Sequence, residues 1–292
     1  MHKKHHLFLS IIVVIFCFLT IDLAQASVAH YWRFEDDSAF VLDYAGNSVL
    51  SPSETGVTQS YLADVGRGGN FPTYFTVPIG GTNSSAADFE GGGLSTNITP
   101  LTNNFTVEAF IHMDNANGRF GDSIVCVSND ITSSTSTSWN FQVRYDGAGN
   151  TQPQELMLNL HQGVNSDRNG SGFVLEIGID YYIAAAFDSL NGEVSFWIKD
   201  LTNGGQLLKS TTLHSLTGVN SISNLAIGND GTGHPNFSFM GLIDEVRISD
   251  QVLKEDELLV NNTSTVPLPG AIWLLGSCLV GFVGYKRKFK KS

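Results

Sequence analysis

Cysteine is scarce in this 292-residue sequence, which contains only three. Cys17 and Cys278 lie in apolar segments at the two ends, so Cys126 is left alone in the middle of the chain. No internal disulfide can form there, and the domain must be stabilised by an apolar core. Because Cys126 alternates with Ile124, we expect it to be a buried, small apolar residue.

Cationic residues are also scarce. Between residues 27 and 265, nine Lys and Arg stand against 27 Asp and Glu, so the balance is 9 − 27 = −18; the two ends bring the whole chain to −12. Nucleic-acid binding depends on cations that contact phosphates, so this balance argues against a nucleic-acid partner. It favours a soluble, exported protein.

Hydrolase motifs are missing altogether. The sequence contains no His-Glu-x-x-His, no Gly-x-Ser-x-Gly and no phosphate-binding loop. A retaining glycosidase on a jelly roll places carboxylates at alternate strand positions, and Glu-x-Asp-x-Glu does not occur either. The consecutive acids Glu255–Glu257 are predicted to be a solvated helical face. We therefore expect no catalytic activity, with a glycan-active enzyme as the alternative, since carboxylates distant in sequence can meet in a fold.

The N-terminus has the layout of a secretory signal peptide. Lys3 and Lys4 precede an apolar run over residues 7–19, and small residues follow at Ala24 and Ala26. This pattern predicts a signal peptide over residues 1–26 with cleavage after Ala26. The alternative is an uncleaved signal anchor.

The C-terminus has the layout of a membrane segment. Residues 258–285 carry no charge, and five cations follow within residues 286–291. The 20 residues from Val266 to Tyr285 suffice to cross a hydrocarbon core of about 30 Å. Basic residues beside such a segment prefer the cytoplasmic side, which places the preceding domain outside. The predicted division is therefore a domain at 27–258, a linker at 259–265 and a terminal segment at 266–292, with the helix at 270–285 and the basic tail at 286–292.

Alternating apolar residues between the two ends predict strands throughout. Asn191-Gly192, between two apolar runs, predicts a hairpin from Tyr181 to Lys199. Only residues 252–260 favour a helix, with Asp250 as its cap. Residues 51–83 are polar and irregular. Short strands with turn residues between them predict an all-β fold, a two-sheet antiparallel jelly-roll sandwich.

Aromatic side chains in these strands have two interpretations. Trp139, Tyr145 and Trp197 are candidates for a platform that stacks on sugar rings. Trp139, Phe141, Val143 and Tyr145 share one side of a strand, and aromatics at that period usually pack inward. We therefore favour the core for Trp139 and Trp197.

Five blocks in order resemble laminin-G-like domains of the concanavalin A-like jelly-roll superfamily. They are Tyr31–Asp36, Ala87–Gly91, Phe105–Ile111, Asp180–Asp188 and Phe239–Ser249, the last followed by Val252–Glu257. The resemblance covers residues 28–258. It implies the jelly-roll fold and a binding or structural role, in contact with a polysaccharide or with a surface protein.

The tail resembles the PEP-CTERM sorting signal of Gram-negative bacteria. Its Val-Pro-x-Pro start is Val266, Pro267, Leu268 and Pro269, with leucine where glutamate is commoner, and its basic end includes Lys286, Arg287 and Lys288. The resemblance implies an exosortase-type sorting protease as partner and cleavage near residues 266–269. The protein would be anchored in the inner membrane before sorting and would then reach the cell surface or the extracellular space. Without recognition it stays a plain C-terminally anchored protein.

Calcium is the cofactor that the laminin-G resemblance implies. Related domains often hold a structural calcium between the acidic end of the first strand and an aspartate of the last. Carried onto this chain, the ligands are Asp36, Asp43, Asn47 and Asp244, which supply the oxygens that calcium prefers. In the alternative, Asp244 and Glu245 pair with Arg247 or Arg33, and Asp43 caps a turn.

Overall fold

The computed structural model describes residues 28–35, 41–52, 61–63, 85–114, 121–145, 154–231 and 237–261. Both termini lie outside these residues, and so do the predicted signal peptide and sorting segment. Within the described residues no helix is long and apolar enough to cross a membrane.

In the part of the chain that the structure describes, sixteen strands make up nearly all of the regular structure, and every strand pair is antiparallel. They are β1 (Val28–Trp32), β2 (Val41–Leu42), β3 (Val49–Pro52), β4 (Tyr61–Ala63), β5 (Ser85–Glu90), β6 (Leu94–Asn97), β7 (Phe105–Met113), β8 (Asp122–Ser128), β9 (Thr137–Tyr145), β10 (Gln154–Gln162), β11 (Asn165–Leu175), β12 (Asp180–Asp188), β13 (Glu193–Asp200), β14 (Leu208–Leu213), β15 (Asn224–Ile227) and β16 (Met240–Ser249).

The strands form two eight-stranded sheets. Sheet 1 has the order β14-β13-β12-β7-β16-β5-β4, with β1 also paired to β16, and sheet 2 has the order β11-β10-β9-β8-β15-β6-β3-β2. Strands β5 and β1 share one edge of β16, because β5 pairs with residues 240–243 and β1 with residues 246–249. The described fold is therefore all-β with two antiparallel sheets, consistent with the predicted jelly-roll sandwich.

The main core lies between the inner faces of the two sheets. On β9, Trp139, Phe141 and Val143 are buried in this core, as their period-two alternation predicts. Trp139 stacks on Phe105 of sheet 1, with ring centroids 4.9 Å apart. These contacts confirm that Trp139 is a core residue, and Cys126 is buried as expected.

A second apolar cluster lies on the outer face of sheet 1. It includes Tyr182 of β12 and Trp197 of β13, and the C-terminal segment, residues 251–261, packs Leu253, Leu258 and Leu259 against it. The last described residues therefore cover one of the two outer faces of the sandwich.

The predicted helix over residues 252–260 is wrong, because only a 3₁₀ turn at Glu255–Glu257 forms. An α-helix would bond the N–H of Leu259 to the carbonyl of Glu255. Instead, Leu259 N–H donates to the carboxylate of Glu108 at 2.8 Å, and the Glu255 carbonyl accepts from Leu258. Tertiary hydrogen bonds thus replace the helical ones.

The β12–β13 hairpin confirms the turn prediction. The strands pair in register from Tyr181↔Asp200 to Asp188↔Glu193, and Gly192 has φ +69°. A left-handed backbone suits glycine, which has no Cβ to clash.

Candidate functional site

The outer face of sheet 1 is closed by a buried polar network. Glu108 accepts hydrogen bonds from Arg247 and Tyr182, and the Arg247 guanidinium also donates to the carbonyl of Glu257 at 2.7 Å. Glu108 is completely buried and Arg247 is nearly so. Burial raises the pKa of Tyr182 well above its usual value, and the Glu108 charge adds to this, so Tyr182 stays a hydrogen-bond donor. The network therefore holds the C-terminal segment against sheet 1. The other outer face of the sandwich belongs to sheet 2.

The outer face of sheet 2 is lined by polar side chains on three adjacent strands. They alternate with the inward apolar residues, since successive side chains point to opposite sides of a strand. We call this set the polar face; its members are Ser138, Asn140 and Gln142 of β9, Asn159 and His161 of β10, and Arg168 of β11. Register places Asn140, Asn159 and Arg168 side by side across the three strands.

Burial of the polar face decreases from β9 towards β11. Asn140 and Gln142 are each 1 % exposed, Asn159 and His161 are partly buried, and Arg168 is exposed. The Asn140 amide donates to Gln142 Oε1 at 2.6 Å. The polar face is therefore accessible from its β11 side and has a buried amide pair behind it.

Three buried polar atoms of this face have no hydrogen-bond partner among the residues that the structure describes: Asn140 Oδ1, Asn159 Oδ1 and His161 Nδ1. A buried polar atom without a partner costs about 1–3 kcal/mol, so such atoms are normally satisfied by water or by a ligand. Burial lowers the pKa of His161, and the positive charge of Arg168 lowers it further. His161 is therefore neutral at neutral pH and offers both a donor and an acceptor.

Asn220 fixes the end of the polar face. Its backbone N–H donates to the carbonyl of His161 at 2.8 Å, and its Oδ1 accepts from Gly163 at 2.7 Å. The Ser138 hydroxyl donates to the Asn220 carbonyl at 2.6 Å. One residue of a connecting loop thus ties β9 and the β10–β11 turn together, which holds the face in one arrangement.

The predicted calcium ligands are only partly described, since Asp36 lies outside the described residues. Asp43 Oδ1 accepts from the backbone N–H groups of Tyr31, Ala45 and Gly46 at 2.8–3.0 Å, and Oδ2 lies 2.6 Å from His30 Nδ1. Burial opposes ionisation of Asp43, but these bonds outweigh it and hold its pKa below the usual range. Asp43 therefore caps a turn, as the alternative interpretation expected.

Asn47 and Asp244, the remaining predicted ligands, differ in exposure. Asn47 is exposed, whereas Asp244 is buried with Oδ1 accepting from the N–H of Glu245 at 2.8 Å. Among the described residues, no three His, Cys, Asp or Glu side chains group closely enough to hold a metal. Because Asp36 lies outside the described residues, the calcium site stays a prediction.

Glu245 forms the ion pair that the alternative interpretation allowed. Arg33 Nε donates to Glu245 Oε1 at 3.2 Å, and the Tyr31 hydroxyl donates to Oε2. Burial raises the pKa of Glu245 to about 7, against the opposing effects of Tyr31 and Arg33. The pairing of Glu245 with Arg33 is confirmed, whereas Arg247 pairs with Glu108.

Two carboxylates face each other at the β12–β13 hairpin. Asp188 and Glu193 are register partners, and both line a groove of about 310 Å³ beside the C-terminal segment. Asp188 accepts from the N–H groups of Leu190 and Asn191 and from the Asn191 amide. Desolvation opposes its ionisation, but these bonds prevail and lower its pKa. Asp188 is thus a charged turn cap and not a proton donor.

Trp197 does not offer an open ring to a sugar. It is 2 % exposed and belongs to the second apolar cluster, and Lys209 Nζ lies 5.1 Å from its ring centroid. The core interpretation is confirmed for Trp197, and the side chain of Tyr145 lies outside the described set. The turn at Asn229 is closed by its own Oδ1, which accepts from Gly231.

Sequence reasoning did not single out the polar face as a site. The signal was present, because amide, imidazole and hydroxyl groups occupy most of the positions that alternate with the inward apolar residues of β9 and β10, with Met157 as an apolar exception. Such alternation also describes an ordinary solvated face. The register between strands and the burial of Asn140 distinguish a candidate binding site from an ordinary solvated face.

Comparison with known proteins concerns most of the chain. A laminin-G family profile described as the concanavalin A-like lectin/glucanases superfamily matches residues 68–259. No curated protein matches significantly.

Among solved structures, the enzymatically active domain of tailspike protein 2 from bacteriophage CBA120 is similar at 14% identity, with a TM-score of 0.52 over 73% of this chain and 30% of that one. The chain thus spans less than a third of that protein. The CBM40 module of a Ruminococcus gnavus sialidase, bound to α2,3-sialyllactose, matches at 14% identity and a TM-score of 0.42, over 56% of this chain and 83% of that one. At 14% identity the likeness to the tailspike domain shows the fold alone.

Proposed function

Since the chain belongs to the concanavalin A-like lectin/glucanases superfamily, we propose that it is an exported, non-catalytic carbohydrate-binding protein of the cell envelope or matrix. The observation that supports the proposal is the polar face, with its unpartnered Asn140 Oδ1, Asn159 Oδ1 and His161 Nδ1. Sugar hydroxyls both donate and accept hydrogen bonds, and side-chain amides and a neutral imidazole match both roles.

The geometry of the polar face suits a chain-like ligand. Neighbouring strands lie about 4.8 Å apart, so the row from Asn140 to Arg168 extends over about 10 Å across the strands. The second row, through His161 and Ser138, lies beside it on the same face. Polar groups in two rows can fix the register of a polysaccharide without an aromatic platform.

Replacing Asn159 by Ala is expected to weaken glycan binding about tenfold, because one or two hydrogen bonds to sugar hydroxyls disappear. Isothermal titration calorimetry of the full chain against a panel of soluble polysaccharides provides the measurement. Gln206→Ala removes an exposed amide in a loop of sheet 1 and serves as the control. Equal affinities of the two variants, or a wild type that binds no glycan, would contradict the proposal.

The absence of catalysis is part of this proposal and rests on the site chemistry. Asp188, which faces Glu193 on sheet 1, has a pKa that its turn hydrogen bonds lower, so its carboxyl is not suited to act as a general acid. Incubating the chain with a bound polysaccharide should release no reducing ends. Release that Asp188→Asn abolishes would favour the alternative of a glycan-active enzyme.

Export and sorting are proposed from the two ends of the sequence. The signal peptide over residues 1–26, the apolar segment 270–285 and the basic tail support delivery across the inner membrane, retention there and processing by an exosortase-type protease. Mass spectrometry of the mature protein tests this. A mature chain that still contains residues 285–292 would leave only the plain anchored form.

Calcium is proposed as a structural ion that would be held by Asp36, Asn47 and Asp244 near the capped turn at Asp43. An ion that binds only the native state raises the melting midpoint. We expect millimolar calcium to raise the midpoint, and Asp244→Asn to remove this increase. Magnesium at equal concentration is the control, since it prefers a stricter octahedral geometry. A midpoint that calcium leaves unchanged would eliminate the ion.

A further inference from the structure

Among the arginines that the structure describes, Arg168 stands out by its exposure. Arg33 and Arg247 are buried in ion pairs with Glu245 and Glu108, and Arg144 also has an interaction partner. Arg168 is exposed, and it makes no ion pair or side-chain hydrogen bond with any residue that the structure describes. A guanidinium in this state retains all of its donors for an external group.

The position of Arg168 connects it to the polar face. It is the register partner of Asn159, which in turn is the register partner of Asn140. Asn159 Oδ1 and Asn140 Oδ1 are both buried without a partner, and Asn140 is 1 % exposed. A ligand that contacts the partly exposed Asn159 along this row therefore passes directly beside the guanidinium.

Among the described residues, the acidic neighbours of this row on β10 and β11 are already engaged or point to the other side of the sheet. Glu155, further along β10, accepts from the N–H of Gly172 at 2.8 Å. Asp167 precedes Arg168 on β11, so it points to the opposite side of the sheet, and it accepts from Ser215 at 3.3 Å. His161 adds no positive charge, because it is neutral. The row thus carries one local cation on a domain that is strongly acidic.

We propose that the glycan recognised by the polar face is an acidic polysaccharide with carboxylate groups, and that Arg168 binds the carboxylate while the amide of Asn159 forms hydrogen bonds with sugar hydroxyls. This inference rests on the proposed glycan-binding function. Guanidinium and carboxylate form a planar pair of parallel hydrogen bonds, which lysine cannot reproduce. The charge of −18 between residues 27 and 265 repels a polyanion at a distance. Because the screening length is about 8 Å at physiological salt, the contacts on the face decide binding.

The test compares three probes by calorimetry on the full chain, in buffer with EDTA so that no calcium bridges the partners. The probes are alginate, alginate whose carboxylates have been reduced to alcohols, and dextran as a neutral glucan. We expect alginate to bind at least tenfold more tightly than its reduced form.

Arg168→Gln should weaken alginate binding about tenfold or more and leave the binding of reduced alginate unchanged. Arg168→Lys should recover only part of the loss. Lys254→Gln removes the same charge from an exposed position in the C-terminal segment and should have no effect. A melting curve for each variant checks the fold.

The outcomes distinguish a failure of the acidic-ligand inference from a failure of the proposed glycan-binding function. If reduced alginate or dextran binds as tightly as alginate, and Arg168→Gln binds all three normally, the acidic ligand is overturned but glycan binding stands. If none of the three binds, and no polysaccharide of the wider panel binds either, the glycan-binding function itself is overturned. If Lys254→Gln weakens binding as much as Arg168→Gln, net charge and not the pairing of Arg168 is responsible.

Discussion

Replacing Gly241 by Ala should lower the free energy of unfolding by about 4 kcal/mol or more, enough to remove much of the stability of an average domain. Gly241 lies in β16 between Phe89 of β5 and Met113 of β7, and it has φ +140°. A Cβ at this position would lie 2.0 Å from the carbonyl oxygen of His112 and 2.9 Å from the N–H nitrogen of Asp114. His112 belongs to the central strand β7, and the N–H of Asp114, just after that strand, donates to the carbonyl of Met240, so neither atom can move aside easily.

Gly178→Ala is the matched control for this substitution. Gly178 also has a left-handed backbone, with φ +81°, but a Cβ there would meet nothing within 4 Å. Its replacement should cost only about 1–2 kcal/mol, the conformational penalty alone. Thermal melting of both variants gives the difference, which should be about 5 °C or more for a domain of this size. Equal melting temperatures would show that the sheet accommodates a side chain at position 241.

The predictable part of the fold is the part that local pattern determines. The strands around Trp139 and Tyr182 follow from alternation, and the β12–β13 hairpin follows from Asn191-Gly192. Gly241 belongs to a block that resembles laminin-G-like domains, but its backbone conformation and the contact with His112 depend on three strands meeting. Sequence therefore indicated the block, and only the structure explains why glycine occupies it.

The unpredicted part depends on tertiary contacts. Glu108 alternates with core residues and reads as a solvated position, yet it is completely buried beneath the C-terminal segment. The segment was predicted as a helix because local propensity favours one, but the bond from Leu259 to Glu108 removes a helical hydrogen bond. Long-range partners of this kind carry no local sequence signal.

The candidate site, like the fold, has a part that the sequence predicts and a part that it does not. The alternative of a turn cap at Asp43 follows from the residue type, and the pairing of Glu245 with Arg33 was one of the combinations that charge alone allows. The row of Asn140, Asn159 and Arg168 comes from three strands whose register cannot be derived from the sequence of any one of them. The row is defined by the pairing of β9, β10 and β11 together with the burial of Asn140.

Replacing Glu108 by Gln should destabilise the fold by about 3–5 kcal/mol, because the Arg247 charge then stays buried without its counterion. The amide would also turn its N–H₂ group towards either the Arg247 guanidinium or the Tyr182 and Leu259 donors, all of which need an acceptor. Denaturant unfolding measures the loss. Glu90→Gln changes the same atoms at an exposed position and should lie within about 0.5 kcal/mol of wild type.

A double variant distinguishes the ion pair from simple loss of packing. If the buried charge causes the damage, Glu108→Gln combined with Arg247→Met should be more stable than Glu108→Gln alone, since no unpaired charge remains. Hydrogen exchange at the Leu259 amide should accelerate in both variants, because the acceptor that holds the C-terminal segment is weakened. The idea fails if the losses in unfolding free energy are additive in the double variant and hydrogen exchange at the Leu259 amide is unchanged. The ion pair would then not stabilise the fold, and the network would not hold the C-terminal segment. The segment would then be held by Leu253, Leu258 and Leu259 alone, through their burial against sheet 1.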